Sequence, residues 1–245
     1  RIVFDIQQRA LPGARGGLPH CVKQRLVRAG EAVALRGPGI RVRPPERPRA
    51  AGGFGFMQNE ISAEVNKSHA VRAAARAMRE TRAAGRRIVV VTGPAVVHSG
   101  GDIALERLVR AGWVDAVLTG NAFAVHDLEK ALLKTSLGVC QNSGRALEGG
   151  SRNHLWTINA VNRVGGVMAA VRAGIVPSGV MRALVETGTP FVLAGSIRDE
   201  GPLKEVITDV LEAQSAYLLA LENAGMCLML ASALHGIAVG NLLPA

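Results

Sequence analysis

The chain has 245 residues and a mass of 25.6 kDa, and it is 48% hydrophobic, 3% aromatic and 20% charged. That apolar content builds a substantial core and excludes disorder, and 29 glycines without a triplet period exclude a collagen-like chain. The formal charge of +10 is uneven, with 11 Lys/Arg against 3 Asp/Glu in residues 1–57 and 18 against 16 in residues 58–245, so it does not describe the molecule as a whole.

With so few aromatics, the core is filled by Ala, Val, Leu and Ile, which suits a buried parallel sheet covered by helices and argues against a β-sandwich. The basic N-terminal part strings Arg36, Arg41, Arg43, Arg47 and Arg49 among Gly and Pro without the aromatics that stack bases. It reads as a solvated or subunit-contact surface, and no nucleic-acid partner is expected.

Residues 1–56 alternate short apolar runs such as Ile2–Ile6 and Ala32–Leu35 with turns, which predicts a small β-rich subdomain. Its connector, Pro44 to Gly53, holds three prolines and two glycines; proline removes a backbone donor and blocks helix in the residue before it. The main domain is expected over residues 57–245. It opens with a helix over Ser62–Ala84, with Ser62 as N-cap and Gly85 as stop.

Strand and helix then alternate. Strands are predicted at Arg87–Val91, Val114–Leu118, Phe191–Ala194 and Met226–Ala231, and helices at Asp102–Ala111, Ala124–Lys134, Leu155–Ala173, Ser178–Thr187 and Glu205–Asn223. Four apolar strands separated by amphipathic helices predict an α/β fold with a parallel sheet covered on both faces. Gly225–Ala245 lacks Asp, Glu, Lys and Arg and is long enough to span a bilayer, but His235, Asn241, Ser232 and several glycines divide it into a strand and a following loop or helix. No membrane partner is expected.

In such a sheet, ligands collect at the carboxyl ends of the strands. Gly93, Gly120, Asn121, Gly195 and Ser196 stand there, small enough for close backbone approach and followed by helix N-termini suited to phosphate. Neither GxGxxG nor the GxxxxGK[ST] loop follows any strand, so a dinucleotide is one option among ligands. His98, His126, His154 and His235 fall at or just beyond predicted strand ends. Asp127 either orients His126 or caps a helix, and Arg198, Asp199 and Glu200 form a charged turn. No metal-ligand set is recognised. Cys21, Cys140 and Cys227 are widely spaced without a CxxC pair, which fits a reducing cytoplasm, and Cys140 is placed in a polar loop.

Six runs carry a resemblance: VRPPERPR at Val42–Arg49, GPAVVHSG at Gly93–Gly100, VDAVLTGNAFAVHD at Val114–Asp127, LAGSIRDEGPL at Leu193–Leu203, VITDVLEAQ at Val206–Gln214 and LHGIAVGNLLP at Leu234–Pro244. They resemble the archaeal-type ornithine cyclodeaminase family, which also forms the C-terminal part of the cyanobacterial arginine dihydrolase fusion and bears the label of a lysine-ketoglutarate reductase/saccharopine dehydrogenase conserved region. The resemblance implies a Rossmann-like domain of the deoxyhypusine synthase NAD-binding type, which accounts for the missing GxGxxG. It also implies residues before Arg1 and a further strand beyond Ala245, so a shortened domain is expected.

By motif, the resemblance places NAD against Asn121, Ala122, Asp199 and the segment Ala231, Ser232, Ala233, Leu234 and His235. The implied reaction takes L-ornithine to L-proline and ammonia by internal hydride transfer. It requires a cation for the substrate carboxylate, a carboxylate for an ammonium and an acid/base group. The candidates are Arg198 or Arg152, Asp199 or Asp127, and His126 or His154, in that order. An amino-acid dehydrogenase and a non-catalytic nucleotide-binding module are the alternatives. A mean hydropathy of +0.20 and the relation to multimeric NAD-binding folds favour a homo-oligomer.

Overall fold

The computed structural model describes residues 67–136, 139–140, 151–197, 199, 201–230 and 232–243. The N-terminal subdomain, its connector and the Ser62 cap lie outside the described residues.

Helix α1 (Lys67–Ala83) leads through Gly85, in the left-handed region at φ +66°, into β1 (Arg87–Thr92). Helices α2 (Ala95–His98) and α3 (Asp102–Arg110) follow, then β2 (Ala116–Gly120) and α4 (Asn121–Leu133). A two-stranded antiparallel pair, β3 (Thr135–Ser136) and β4 (Val139–Cys140), precedes α5 (Ser151–Arg163), α6 (Val167–Arg172) and α7 (Val180–Thr187). The chain closes with β5 (Phe191–Ala194), β6 (Val206–Ile207), α8 (Val210–Ala220), β7 (Ala224–Leu230) and α9 (Ala233–Gly240).

The expected Rossmann-like α/β architecture is observed. Five strands pair in parallel in the order β6-β5-β2-β1-β7. The sheet therefore grows outward from β1 through β2, β5 and β6, and β7 returns to the other side of β1. That reversal makes the gap between the carboxyl ends of β1 and β7 the topological switch point, where an open sheet leaves a crevice.

Strand alternation sorts the core into two layers. Val90, Val117 and Leu193 face one layer, with Leu105, Phe123, Leu128, Val161 and Met181 from the helices. Val89, Val91, Ala116, Leu118 and Ala194 face the other, with Ala213 and Tyr217 of α8 and Val239 of α9. At the centre of the sheet, β1 from Ile88 onward and all of β2 are buried, as strands covered on both faces must be.

Four sequence expectations are corrected. The second strand begins at Ala116 and runs to Gly120, because Asp115 stays outside it as a junction: Oδ2 accepts from the Ile88 amide at 2.7 Å and Oδ1 from Arg82 at 3.0 Å. The helix over Leu155–Ala173 is two helices, since Gly165 and Gly166 both sit at φ above +110°, which L side chains avoid. Glu205–Asn223 is not one helix. Val206 and Ile207 add a short strand to β5, and α8 starts only after Asp209, whose side chain accepts from the amides of Leu211 and Glu212 at 2.8 Å each. Cys140 belongs to β4, opposite Thr135, rather than to a loop.

The uncharged C-terminal run divides into β7 and α9 as expected. Among the described residues, no helix is long and apolar enough to cross a membrane.

Candidate functional site

The carboxyl ends of β1, β2, β5 and β7 are drawn together by backbone and hydroxyl contacts. The Gly93 amide donates to the Leu230 carbonyl at 3.2 Å across the switch point, and the Thr119 hydroxyl donates to the Thr92 carbonyl at 2.6 Å. Gly195 donates to the Ile207 carbonyl at 2.9 Å. Four of the sequence candidates, Gly93, Gly120, Gly195 and Ser196, thus line one edge.

Helix α4 springs from that edge on Gly120, which offers no side chain to its first-turn amides. By contrast, α8 and α9 are capped by the side chains of Asp209 and Ser232. A helix N-terminus left open on a glycine at the carboxyl edge is a place for an anion. Ala122 is half-buried in the first turn of α4, and Ala233 and Leu234 are exposed in the first turn of α9.

His235 closes this side of the edge. Its imidazole packs against Gly120, where a Cβ would collide with Nε2 and stand 2.9 Å from Cε1. Glycine is required at position 120 for space, since its φ of −114° is open to any residue. The Tyr217 hydroxyl carries one proton and gives it to the Thr119 carbonyl at 2.6 Å. Its 3.1 Å contact with His235 Nδ1 therefore needs the imidazole as donor, which fixes the Nδ1–H tautomer and leaves a lone pair on Nε2. Burial lowers the His235 pKa, against an opposing pull from Asp199, so the ring is a neutral acceptor at pH 7.

The Ser196–Asp199 turn closes on itself, with Asp199 Oδ2 accepting from the Ser196 amide at 2.8 Å and the Asp199 amide donating to the Ser196 carbonyl at 3.1 Å. Arg198, Glu200 and Ala231 lie outside the described residues.

Asn121 is 1% exposed, and its side chain is spent on the next turn. Nδ2 donates to the Gly201 carbonyl and Oδ1 accepts from the Leu203 amide, each at 3.0 Å. Asn162 does the same from α5, donating to Pro202 at 2.9 Å and accepting from Lys204 at 3.0 Å. Two asparagines thus stitch the segment 201–204 to the helices beneath it.

Asp127 serves as a cap. Its carboxylate accepts from the amides of Val180 at 3.0 Å and Met181 at 2.8 Å, the start of α7, and burial pushes its pKa up to about 7 against those two hydrogen bonds. The helix it caps starts 53 residues further along the chain. Arg152 is exposed on α5.

On the other face, α2, α4 and α5 bring three imidazoles into a row. The ring centroids of His98 and His126 are 4.9 Å apart, as are those of His126 and His154. His98 is exposed, with Nδ1 2.9 Å from the Ser136 hydroxyl; His126 is 4% exposed. Partial desolvation where its ring meets Ser136 and His126 lowers the His98 pKa, and the charge of His126 lowers it further while Glu129 opposes.

Beneath the row lies Glu129, fully buried, with Oε2 3.6 Å from His126 Nδ1 and 3.9 Å from His154 Nδ1. Oε1 accepts from the Thr135 hydroxyl at 2.7 Å, and Thr135 accepts from Asn153 Nδ2 at 3.0 Å. One nitrogen from each inner histidine and one Glu129 oxygen lie within 4.8 Å of one another. Sequence reading found His126 and His154 but missed Glu129. The available signal was the His-x-x-Glu spacing from 126 to 129, which puts both on one face of a helix.

A separate groove of about 410 Å³, lined by Arg172, Phe191, Glu205 and Ile207 among others, opens near the amino end of β5.

A family model described as "Arginine dihydrolase ArgZ-like, C-terminal, Rossmann fold" matches residues 72–245, and one for the first region of the same C-terminal part matches residues 12–71. An ornithine cyclodeaminase of Archaeoglobus fulgidus is 45% identical over 99% of this chain, which covers 60% of that relative. The bifunctional arginine dihydrolase/ornithine cyclodeaminase AgrE of a Nostoc species is 46% identical over 94% of the chain, covering 33% of that protein. Among solved structures, the ternary complex of AgrE with ornithine and NAD+ superposes with a TM-score of 0.72 at 48% identity, over 75% of this chain and 27% of that one. A putative LOR/SDH protein from Methanococcus maripaludis superposes equally well, at 0.72 and 39% identity, over 84% of this chain and 61% of that one. The chain therefore spans between about a quarter and three fifths of the proteins named here.

Proposed function

The chain belongs to the family of ArgZ-like C-terminal Rossmann domains, and from that premise we propose that it carries out NAD-dependent ornithine cyclodeamination, a lyase reaction yielding L-proline and ammonia. The observation that carries the reading is the 48% identity, with a shared fold, to a protein whose structure holds ornithine and NAD+.

The residues fit a dinucleotide. The uncapped N-terminus of α4 at Gly120 offers backbone donors to a phosphate, and Gly93, Gly195 and Ser196 leave room at the strand ends. Ser232, Ala233, Leu234 and His235 complete the switch-point side. When bound, NAD supplies a hydride acceptor and then a donor, so that oxidation and reduction cancel over one turnover.

The chain's own residues hold the substrate and manage its protons. We assign proton transfer to the imidazole row with Glu129, a set of bases that α2, α4 and α5 hold at one edge of the sheet. Asp199 is assigned to a substrate ammonium, being half-buried at the end of β5 with Oδ2 anchored to Ser196. Arg198 or Arg152 is assigned to the substrate carboxylate. Asp127 and the Asn121 side chain are assigned to the scaffold. A homo-oligomer is supported by the exposed Val210, Leu211 and Leu219 of α8 and Leu234 and Ile237 of α9. Cytoplasmic placement is supported by the free thiol of Cys227.

The test is proline and ammonia formation from L-ornithine, followed by mass spectrometry with cofactor-stripped protein, with and without NAD+. Equal amounts of both products without net NADH are expected. Net NADH accumulation would instead favour an amino-acid dehydrogenase, the reading to which the likeness to the LOR/SDH protein lends weight. Folded protein that makes no product with NAD+ present would overturn both.

A further inference from the structure

We propose that His126, Glu129 and His154 form a binding site for a divalent transition-metal ion of the zinc class. The first argument is distance. Glu129 Oε2 stands 3.6 Å from His126 Nδ1 and 3.9 Å from His154 Nδ1, beyond hydrogen-bond reach in both cases. Two ligands of a tetrahedral ion bound at about 2.0–2.1 Å are separated by roughly 3.3 Å, so the two carboxylate–imidazole distances need to contract by about 0.3 and 0.6 Å around an ion, with all three ligand atoms already within 4.8 Å of one another.

The second argument is burial and orientation. Glu129 is 0% and His126 4% exposed, and His126 Nδ1 has no hydrogen-bond partner although it is buried and aimed at the carboxylate. A polar nitrogen so placed is costly unless something claims it. A cation between His126, Glu129 and His154 claims its lone pair.

The third argument is the support behind the ligands. Thr135 donates to Glu129 Oε1 at 2.7 Å and is itself held by Asn153, which turns Oε2 toward the imidazoles. Carboxylate ligands are held in this way by an outer shell of hydrogen bonds. The His-x-x-Glu spacing on α4 preorganises two ligands on one helix, and α5 supplies the third. Two imidazoles and one carboxylate suit zinc or its neighbours rather than magnesium or calcium, which take oxygen ligands. Three protein ligands leave a fourth position for water or a substrate atom.

The proposal concerns the inner end of the row assigned above to proton transfer; with an ion in place that role passes to His98 and to the water in the fourth position, and the proposal does not rest on ornithine being the substrate. The test starts with the metal content of the protein purified without chelator, by mass spectrometry. Chelator-stripped protein is then titrated with Zn2+ by calorimetry and with Co2+ by visible absorption. About one equivalent of metal per chain and the intense visible bands of tetrahedral cobalt are expected. Glu129→Gln and His154→Gln should weaken Zn2+ binding by at least about 100-fold, and Thr135→Val by about 10- to 100-fold through the outer shell. His98→Ala should retain the metal. Circular dichroism confirms folding of each variant, and the wild-type titration needs none of them.

Wild-type protein that takes up no Zn2+ or Co2+ would overturn the proposal. So would metal bound equally well by the wild type, Glu129→Gln and His154→Gln, which would place it elsewhere on the chain. Neither titration contains ornithine, so failure here leaves the cyclodeaminase assay to decide the reaction on its own.

Discussion

The imidazole of His235 occupies the space that a side chain on Gly120 would fill, so the end of β2 and the first turn of α9 meet through the absence of one Cβ. The expected outcome of Gly120→Ala follows directly. The methyl group displaces the ring from Tyr217, costing about 1–3 kcal/mol through overpacking. NAD affinity should fall more than stability accounts for, because the ring and the open N-terminus of α4 are disturbed together. Calorimetric titration with NAD+ beside thermal unfolding checks this, and unchanged affinity would remove His235 from the cofactor edge.

Tyr217→Phe removes the hydroxyl between Thr119 and His235 while keeping the ring that packs in the second core layer. A loss of about 1–2 kcal/mol is expected for the buried carbonyl left without this donor. His235 is then released from the Nδ1–H tautomer. Nitrogen NMR of the imidazole should show the protonated position redistributed in the variant and confined to Nδ1 in the wild type.

Asp127 separates a scaffold role from a substrate role. Asp127→Ala leaves the Val180 and Met181 amides without their cap, at a cost of about 2–4 kcal/mol. Asp127→Asn keeps one acceptor and avoids burying a charge, so its loss should be about 1 kcal/mol. Proline formation per folded molecule should be unchanged in Asp127→Asn, and a collapse of turnover in stable protein would return this residue to the substrate site.

Asn121→Ala unstitches the segment 201–204 from α4 and leaves Asn162 to hold it alone. Limited proteolysis should cut between residues 197 and 204 faster than in the wild type. Asn121→Asp, which retains the acceptor for Leu203 and loses the donor to Gly201, should fall between the two. Equal cleavage rates in all three proteins would contradict the stitching role.

Burial pushes the Cys227 thiol up to about 11. The thiolate is the reactive form and lies on the high-pH side of this value, so alkylation should be slow at pH 7 and rise about tenfold per pH unit. Peptide-resolved mass spectrometry after iodoacetamide treatment distinguishes this thiol from Cys21 and Cys140. A rate that levels off near pH 8.5, the ordinary thiol range, would contradict the shift.

The alternation of strand and helix, and the polar, glycine-marked strand ends, can be read directly from the sequence. These are local properties: β1 and β2 are apolar runs of strand length, β1 followed at once by Gly93 and β2 ending on Gly120. The sequence was less decisive where two local signals compete. Val206 and Ile207 lie within a helical pattern, and they became a strand because β5 offered free backbone partners and Asp209 could cap a later start.

Which polar side chains act together depends on the packing of elements distant in the chain. His98, His126 and His154 come from three helices, and nothing in their spacing brings them into one row. Packing of α2, α4 and α5 against one face of the sheet does so and sets Glu129 beneath them. The same packing turned Asp127, the neighbour of His126, toward α7. Adjacent residues on a helix point about 100° apart, so neighbours in sequence serve different sites, and which site each serves is fixed by what packs against that side of the helix.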